Sequence, residues 1–67
     1  MNWCETLRKN KGLSKLELAK AVGVALRTVY RWEQDGIYPR AQHFAMIELV
    51  GGKSMQEICP EIFDPTK

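Results

Sequence analysis

No stretch of about 18 consecutive apolar residues occurs in the 67-residue chain, so nothing in it reads as a membrane span. The opening residues Met1-Asn2-Trp3-Cys4-Glu5 lack the basic-then-apolar order of a signal peptide. Cysteine and histidine are scarce: Cys4, Cys59 and His43 are the whole supply. They form no CxxC pair, and one histidine with two distant cysteines makes no zinc set. Two lone cysteines without a secretory signal read as reduced thiols of a cytoplasmic protein rather than as a disulfide. There is no glycine-rich phosphate loop, and no nucleophile with a paired base and a third orienting group. These absences argue against an enzyme, and no cofactor, metal or membrane partner is expected. No segment alternates apolar and polar residues over a useful length, and there is no repeat or low-complexity tract. A chain this short builds one small core, with no room for a separate effector domain, so no small-molecule ligand is expected either.

What is present is an ordinary soluble composition, 45% hydrophobic and 27% charged, with a net charge of only +2. The distribution of charge says more than its sum. Residues 1–40 carry eight Lys/Arg against four Asp/Glu, a balance of +4; residues 41–67 carry two against four, a balance of −2. A basic first part and an acidic second part suit a domain with one face for phosphate and another for protein.

Helix signals follow one another along the chain. Asn2 caps a first helix from Trp3 to about Lys11, with Glu5 at capping-box spacing, Trp3, Cys4 and Leu7 on one face, and Gly12 as the stop. Ser14 and Glu17 form a second box. Leu13 and Leu18 staple that helix; Leu18, Ala19 and Val22 make its inward stripe, and Gly23 ends it. A third helix, about Leu26 to Gln34, has Val29 and Trp32 as its inward pair and turns Arg27, Tyr30, Arg31 and Gln34 outward. Asp35-Gly36 signals a turn and Pro39 punctuates the next start. A fourth helix, about Arg40 to Val50, is apolar over a wider arc than one core contact requires, and Gly51-Gly52 breaks it. Ser54 and Glu57 repeat the box for a short fifth helix, with Met55 and Ile58 as its apolar contacts and Pro60 at its end.

Lys15 to Gln34 thus reads as helix, tight turn, helix. Two helices crossing steeply over a short turn need a small residue at the crossing, a left-handed turn residue, an apolar residue after the turn and inward anchors beyond it. Ala19, Gly23, Val24 and the pair Val29 and Trp32 meet those needs in that order. The ordered set Leu7-Arg8, Gly12-Leu13-Ser14, Glu17-Leu18-Ala19, Val22-Gly23-Val24, Thr28-Val29, Arg31-Trp32-Glu33 and Pro39 resembles the Cro/cI-type helix-turn-helix regulators, the lambda-repressor-like or XRE class. The resemblance covers residues 4–50, about two-thirds of the chain.

The resemblance implies an all-α, compact four- to five-helix domain over residues 1–59, with a helix-turn-helix at about 15–34 and a tail over 60–67. It implies a sequence-specific regulator that binds double-stranded DNA, a Cro-like repressor of phage or bacterial type, with the third helix in the major groove. Carried over residue by residue, Leu26, Arg27, Tyr30 and Arg31 face bases: an arginine can take guanine O6 and N7, and Leu26 a thymine methyl. Lys15, Ala25, Thr28, Gln34 and Arg40 meet phosphates, Lys15 where helix amides also point outward. Arg8 and Glu33 pair structurally, joining the first helix to the recognition helix. Three positions depart from the family pattern. Lys15 replaces a common glutamine. Ala25 stands where a Ser or Thr cap would contribute about 1 kcal/mol. Gly51 stands where a leucine is expected to close the fourth helix.

One recognition helix touches few base pairs, so a homodimer on a palindromic operator is expected, with Met46, Leu49, Val50, Ile62 and Phe63 as its interface. The competing reading is a protein-interaction module, an antitoxin or adaptor that uses the same fold. The retained basic residues on the third helix favour DNA.

Overall fold

The helices begin where side chains can take up backbone amides that have no partner within the helix. The computed structural model describes residues 2–63; residues 64–67, the end of the expected tail, lie outside the described residues. Five α-helices follow one another: α1 (Trp3–Asn10), α2 (Lys15–Val22), α3 (Leu26–Gln34), α4 (Phe44–Gly51) and α5 (Met55–Ile58), with 3₁₀ turns at Ala41–His43 and Pro60–Ile62. No strand occurs among the described residues.

At α2 the box closes in both directions. The Glu17 amide donates to Ser14 Oγ at 3.1 Å, and the Ser14 amide donates to the Glu17 carboxylate at 2.7 Å. At α1 only half of the expected box forms. The Glu5 amide donates to Asn2 Oδ1 at 2.9 Å, but the Glu5 carboxylate pairs one turn on with Lys9 Nζ at 3.2 Å. The Asn2 side-chain amide instead reaches across the molecule and donates to the Trp32 and Glu33 carbonyls, at 2.7 and 2.9 Å. One residue therefore starts α1 and takes up carbonyls near the end of α3.

The fourth helix departs from expectation at both ends. The chain enters it through the 3₁₀ turn at Ala41–His43 rather than at Arg40, and no side chain caps it. It ends one residue later than the glycine pair suggests: Gly51 is its last helical residue and Gly52, at φ +69°, is the left-handed cap. At α5 the Ser54 amide meets the Glu57 carboxylate at a long 3.4 Å. The shorter contact comes from α4, whose Glu48 carboxylate accepts the Met55 amide at 2.8 Å.

The core lies among all five helices. Cys4 and Leu7 of α1, Leu18, Ala19 and Val22 of α2, Val29 and Trp32 of α3, Ile47 of α4, and Met55 with Cys59 at α5 are buried. Burying each of the larger side chains contributes about 1.5–3 kcal/mol. Trp3 packs beside the Trp32 ring with centroids 5.2 Å apart, and His43 meets that ring edge-on. The buried Gly51 lets α4 approach both α1 and α5. A Cβ there would stand 2.9 Å from Leu7 Cδ1 and 3.1 Å from Ile58 Cδ1, so the leucine expected at this position has no space.

Candidate nucleic-acid interface

A reading helix is useful only if it is held at a fixed angle with its far side clear. The α2–α3 crossing meets the first condition. Ala19, the small residue expected at the crossing, is buried in the core at 2% exposed. Gly23 turns the chain at φ +87°, which a side chain would strain. The Gly23 and Val24 amides both donate to the Ala19 carbonyl, at 2.8 and 3.0 Å, which closes the turn. Val24 packs against the core, and Val29 and Trp32 anchor α3 from below.

A brace from α1 fixes the same helix. Arg8 Nε donates to Glu33 at 2.8 Å and Nη2 to its other oxygen at 3.2 Å, while Nη1 donates to the Leu13 carbonyl at 3.1 Å. The fork joins three segments: α1, the α1–α2 turn and α3. The Glu33 side chain is 7% exposed, so the bridge is drier than an ordinary surface pair. The hydrogen bond to Glu33 raises the guanidinium pKa above its ordinary value. Cys4 lies against the same carboxylate, Sγ to Oε2 3.5 Å. Burial first, and then the Glu33 charge, push its thiol far above the usual range. Cys59, also buried and beside Glu61, is pushed up to about 11. Neither thiol has the electropositive setting of a reactive cysteine.

The second condition is a clear outer face. Arg27, Tyr30, Arg31 and Gln34 are exposed, and Leu26 is at the margin of exposure. Leu26, Tyr30 and Gln34 follow one another at single-turn spacing on one stripe, and Arg27 and Arg31 on the next. Lys15, half-buried at the start of α2, sets its Nζ 4.7 Å from the centre of the Tyr30 ring. Ser14 and Glu17 occupy two of the amides at that helix start, which leaves those of Lys15 and Leu16 outside the box. The hydrogen bonds from Ser14, the backbone one first, hold the Glu17 carboxyl below its usual range, so a carboxylate also stands there. Ala25 is exposed and gives α3 no side-chain cap, and Thr28 is half-buried.

Beyond α3 the chain continues through exposed Ile37 and Tyr38, buried Pro39 and exposed Arg40. There a cleft of about 330 Å³ opens. Thr28 and Arg31 line it from α3, Tyr38 and Arg40 from the connection, and Gln42 with His43 from the 3₁₀ turn. The sequence reading included Thr28, Arg31 and Arg40 but not Tyr38, Gln42 or His43. The only signal for these three was their closeness to Pro39. Among the described residues Lys15, Arg27, Arg31 and Arg40 take part in no ion pair; the pairs present are Arg8–Glu33 and Glu5–Lys9. Four cations on or beside one helix, unneutralised by the protein, are suited to a polyanion.

The residues expected at a dimer interface divide. Met46, Leu49 and Phe63 are exposed, Leu49 at 75%. Val50 and Ile62 are half-buried and packed against the chain's own core. The Phe63 ring lies 6.2 Å from that of Phe44, which links the end of the described chain to α4.

Helices at this crossing, braced from below and clear above, define a helix-turn-helix domain. A helix-turn-helix family model matches residues 5–58, most of the chain, and the chain belongs to that family in its XRE, Cro/cI-type form. Its members are non-catalytic DNA-binding regulators. No curated protein and no solved structure gives a significant match to the chain. Among the described residues there is no cluster of three metal-ligating side chains, and no helix is long and apolar enough to cross a membrane.

Proposed function

We propose that the protein is a sequence-specific transcription regulator of the Cro-like repressor type, acting in the cytoplasm as a homodimer on a palindromic operator. The observation that carries this reading is the exposed outer face of α3. Among the described residues its arginines are free of ion pairs, on a helix whose angle is fixed by Arg8, Glu33 and Asn2. In this reading α3 enters the major groove with Leu26, Arg27, Tyr30 and Arg31 toward the bases. Lys15 and Gln34, the chain at Ala25 and Thr28, and Arg40 beside its cleft hold the flanking phosphates. Met46 and Leu49, continued by Phe63, meet the same surface of a second copy, with Val50 and Ile62 at the margin. Two reading helices are then held about one turn of DNA apart. Repression follows from occupying the operator and blocking polymerase.

The exposed apolar side chains of α4 also favour a second reading, an adaptor or antitoxin that binds another protein there. Selection from a pool of random duplexes at graded salt separates the two. The proposal expects a two-fold symmetric site whose affinity falls steeply as salt rises. Weak binding with no enriched sequence would move the function to the protein-interaction module.

A further inference from the structure

Tyr30 belongs to the outer face of α3, yet its ring is already engaged. The Lys15 ammonium lies 4.7 Å from its centre, within cation–π range. Among the described residues no carboxylate pairs with Lys15, and the Tyr30 hydroxyl has no hydrogen-bond partner. The ring faces Lys15, across from α2, whereas Arg27 and Arg31 stand on the neighbouring stripe of α3. A lysine is a flexible stem with a strongly hydrated head, and it loses rotamer freedom whenever it makes a fixed contact. An aromatic face beneath the ammonium restricts that freedom beforehand and leaves the outer hydrogens free to donate.

We infer that Tyr30 is a positioning residue of the DNA interface: its ring holds the Lys15 ammonium in place for a backbone phosphate, tying the contact made from α2 to the recognition helix. This rests on the DNA-binding reading above and replaces the base-facing role that reading gives to Tyr30, leaving Leu26, Arg27 and Arg31 toward the bases. Tyr30 then contributes affinity and salt dependence through Lys15 rather than choosing a base. Any aromatic ring serves, and the hydroxyl is dispensable.

The test uses the full chain and the duplex enriched by selection, with Tyr30→Phe, Tyr30→Leu, Lys15→Met and the double variant Tyr30→Leu/Lys15→Met. Melting temperatures confirm that each folds; both positions lie outside the buried core. Lys15→Met is expected to make the slope of log affinity against log salt shallower by about 0.9, the loss of one phosphate contact. Tyr30→Leu is expected to weaken binding about 2- to 5-fold, the scale of a surface cation–π contact, with a shallower slope and the same preferred sequence. Tyr30→Phe, which keeps the ring, should keep the parent's preferred sequence and lose less affinity and less slope than Tyr30→Leu. The double variant should bind like Lys15→Met alone. Additive losses in the double variant, or a changed base preference in Tyr30→Phe, would overturn the inference, because Tyr30 would then touch DNA itself.

A measurement without DNA separates this from a failure of the DNA reading. In the free protein the Lys15 side-chain methylene resonances should be shifted upfield by the ring in the parent and in Tyr30→Phe, and lie at ordinary positions in Tyr30→Leu. Resonances unmoved by loss of the ring would overturn the contact even if the parent binds DNA well. A ring shift in a parent that enriches no duplex would instead overturn the DNA reading and, with it, the role given to Lys15.

Discussion

The α1–α3 part and the α4–α5 part have opposite outer surfaces and are held by different means. In the first, the exposed side chains of α3 are mostly charged or polar, and the helix angle is set by directional contacts: the Arg8–Glu33 fork and the two Asn2 hydrogen bonds. In the second, Met46, Leu49 and Phe63 face outward, and α4 is seated through the close approach at Gly51. Directional polar contacts fix an orientation more sharply than apolar packing does, because they weaken steeply with angle. A surface that must match the groove of a duplex benefits from that rigidity. An apolar surface such as that of Met46 and Leu49 would, against a second copy, depend on shape and area instead.

The largest expected effect tests the brace. Arg8→Ala strands the Glu33 carboxylate, 7% exposed, with the Cys4 thiol left against it. Loss of one partner of such a pair is expected to cost about 2–4 kcal/mol. That would lower the melting temperature by roughly 8 °C or more in a domain of this size and weaken DNA binding with it. An unchanged melting temperature would show that the brace does not hold the fold.

A comparable effect, on assembly alone, is expected from Leu49→Glu. With Leu49 75% exposed, the folded monomer should lose little, within about 0.5 kcal/mol. The dimer should dissociate in sedimentation, and affinity for the full palindrome should fall about 100-fold as the second half-site contact is lost. Unaltered association would remove α4 from the interface.

Next comes the close approach. Gly51→Leu is expected to destabilise by about 1–3 kcal/mol through overpacking against Leu7 and Ile58. Gly51→Ala should fall near neutral in chemical denaturation, because the gain of about 0.5–1 kcal/mol in helix propensity opposes the 2.9 Å contact with a movable side-chain end. Equal stability of the leucine variant and the parent would show that α4 is seated by something other than this contact.

The smallest expected effect contrasts the starts of α2 and α3. Ala25→Ser supplies the cap that α3 lacks and should raise stability by about 0.5–1 kcal/mol in thermal or urea unfolding. No gain would mean that the serine hydroxyl does not reach the amide of Thr28, which already donates to the Ala25 carbonyl at 3.0 Å.

Much of the α1–α3 half was legible in the sequence because its rules are local. The Ser14–Glu17 box, the left-handed Gly23 and the spacing of Val29 and Trp32 act within a turn or two of chain, so α2, the turn and α3 fall where the residues place them. The same spacing settles which α3 residues point away from the core. The Arg8–Glu33 contact, 25 residues apart in sequence, came from family resemblance rather than from any local rule. Only the tertiary structure decided the rest. Asn2 divides its side chain between two helices, Glu48 rather than Ser54 makes the shorter contact to the start of α5, Gly51 stands close against Leu7 and Ile58 where a leucine has no space, and Lys15 lies over Tyr30. Each depends on the distance and angle between helices. Those are set by the packing of the whole core, whereas a residue pattern along one helix specifies which face is buried but not what stands opposite it.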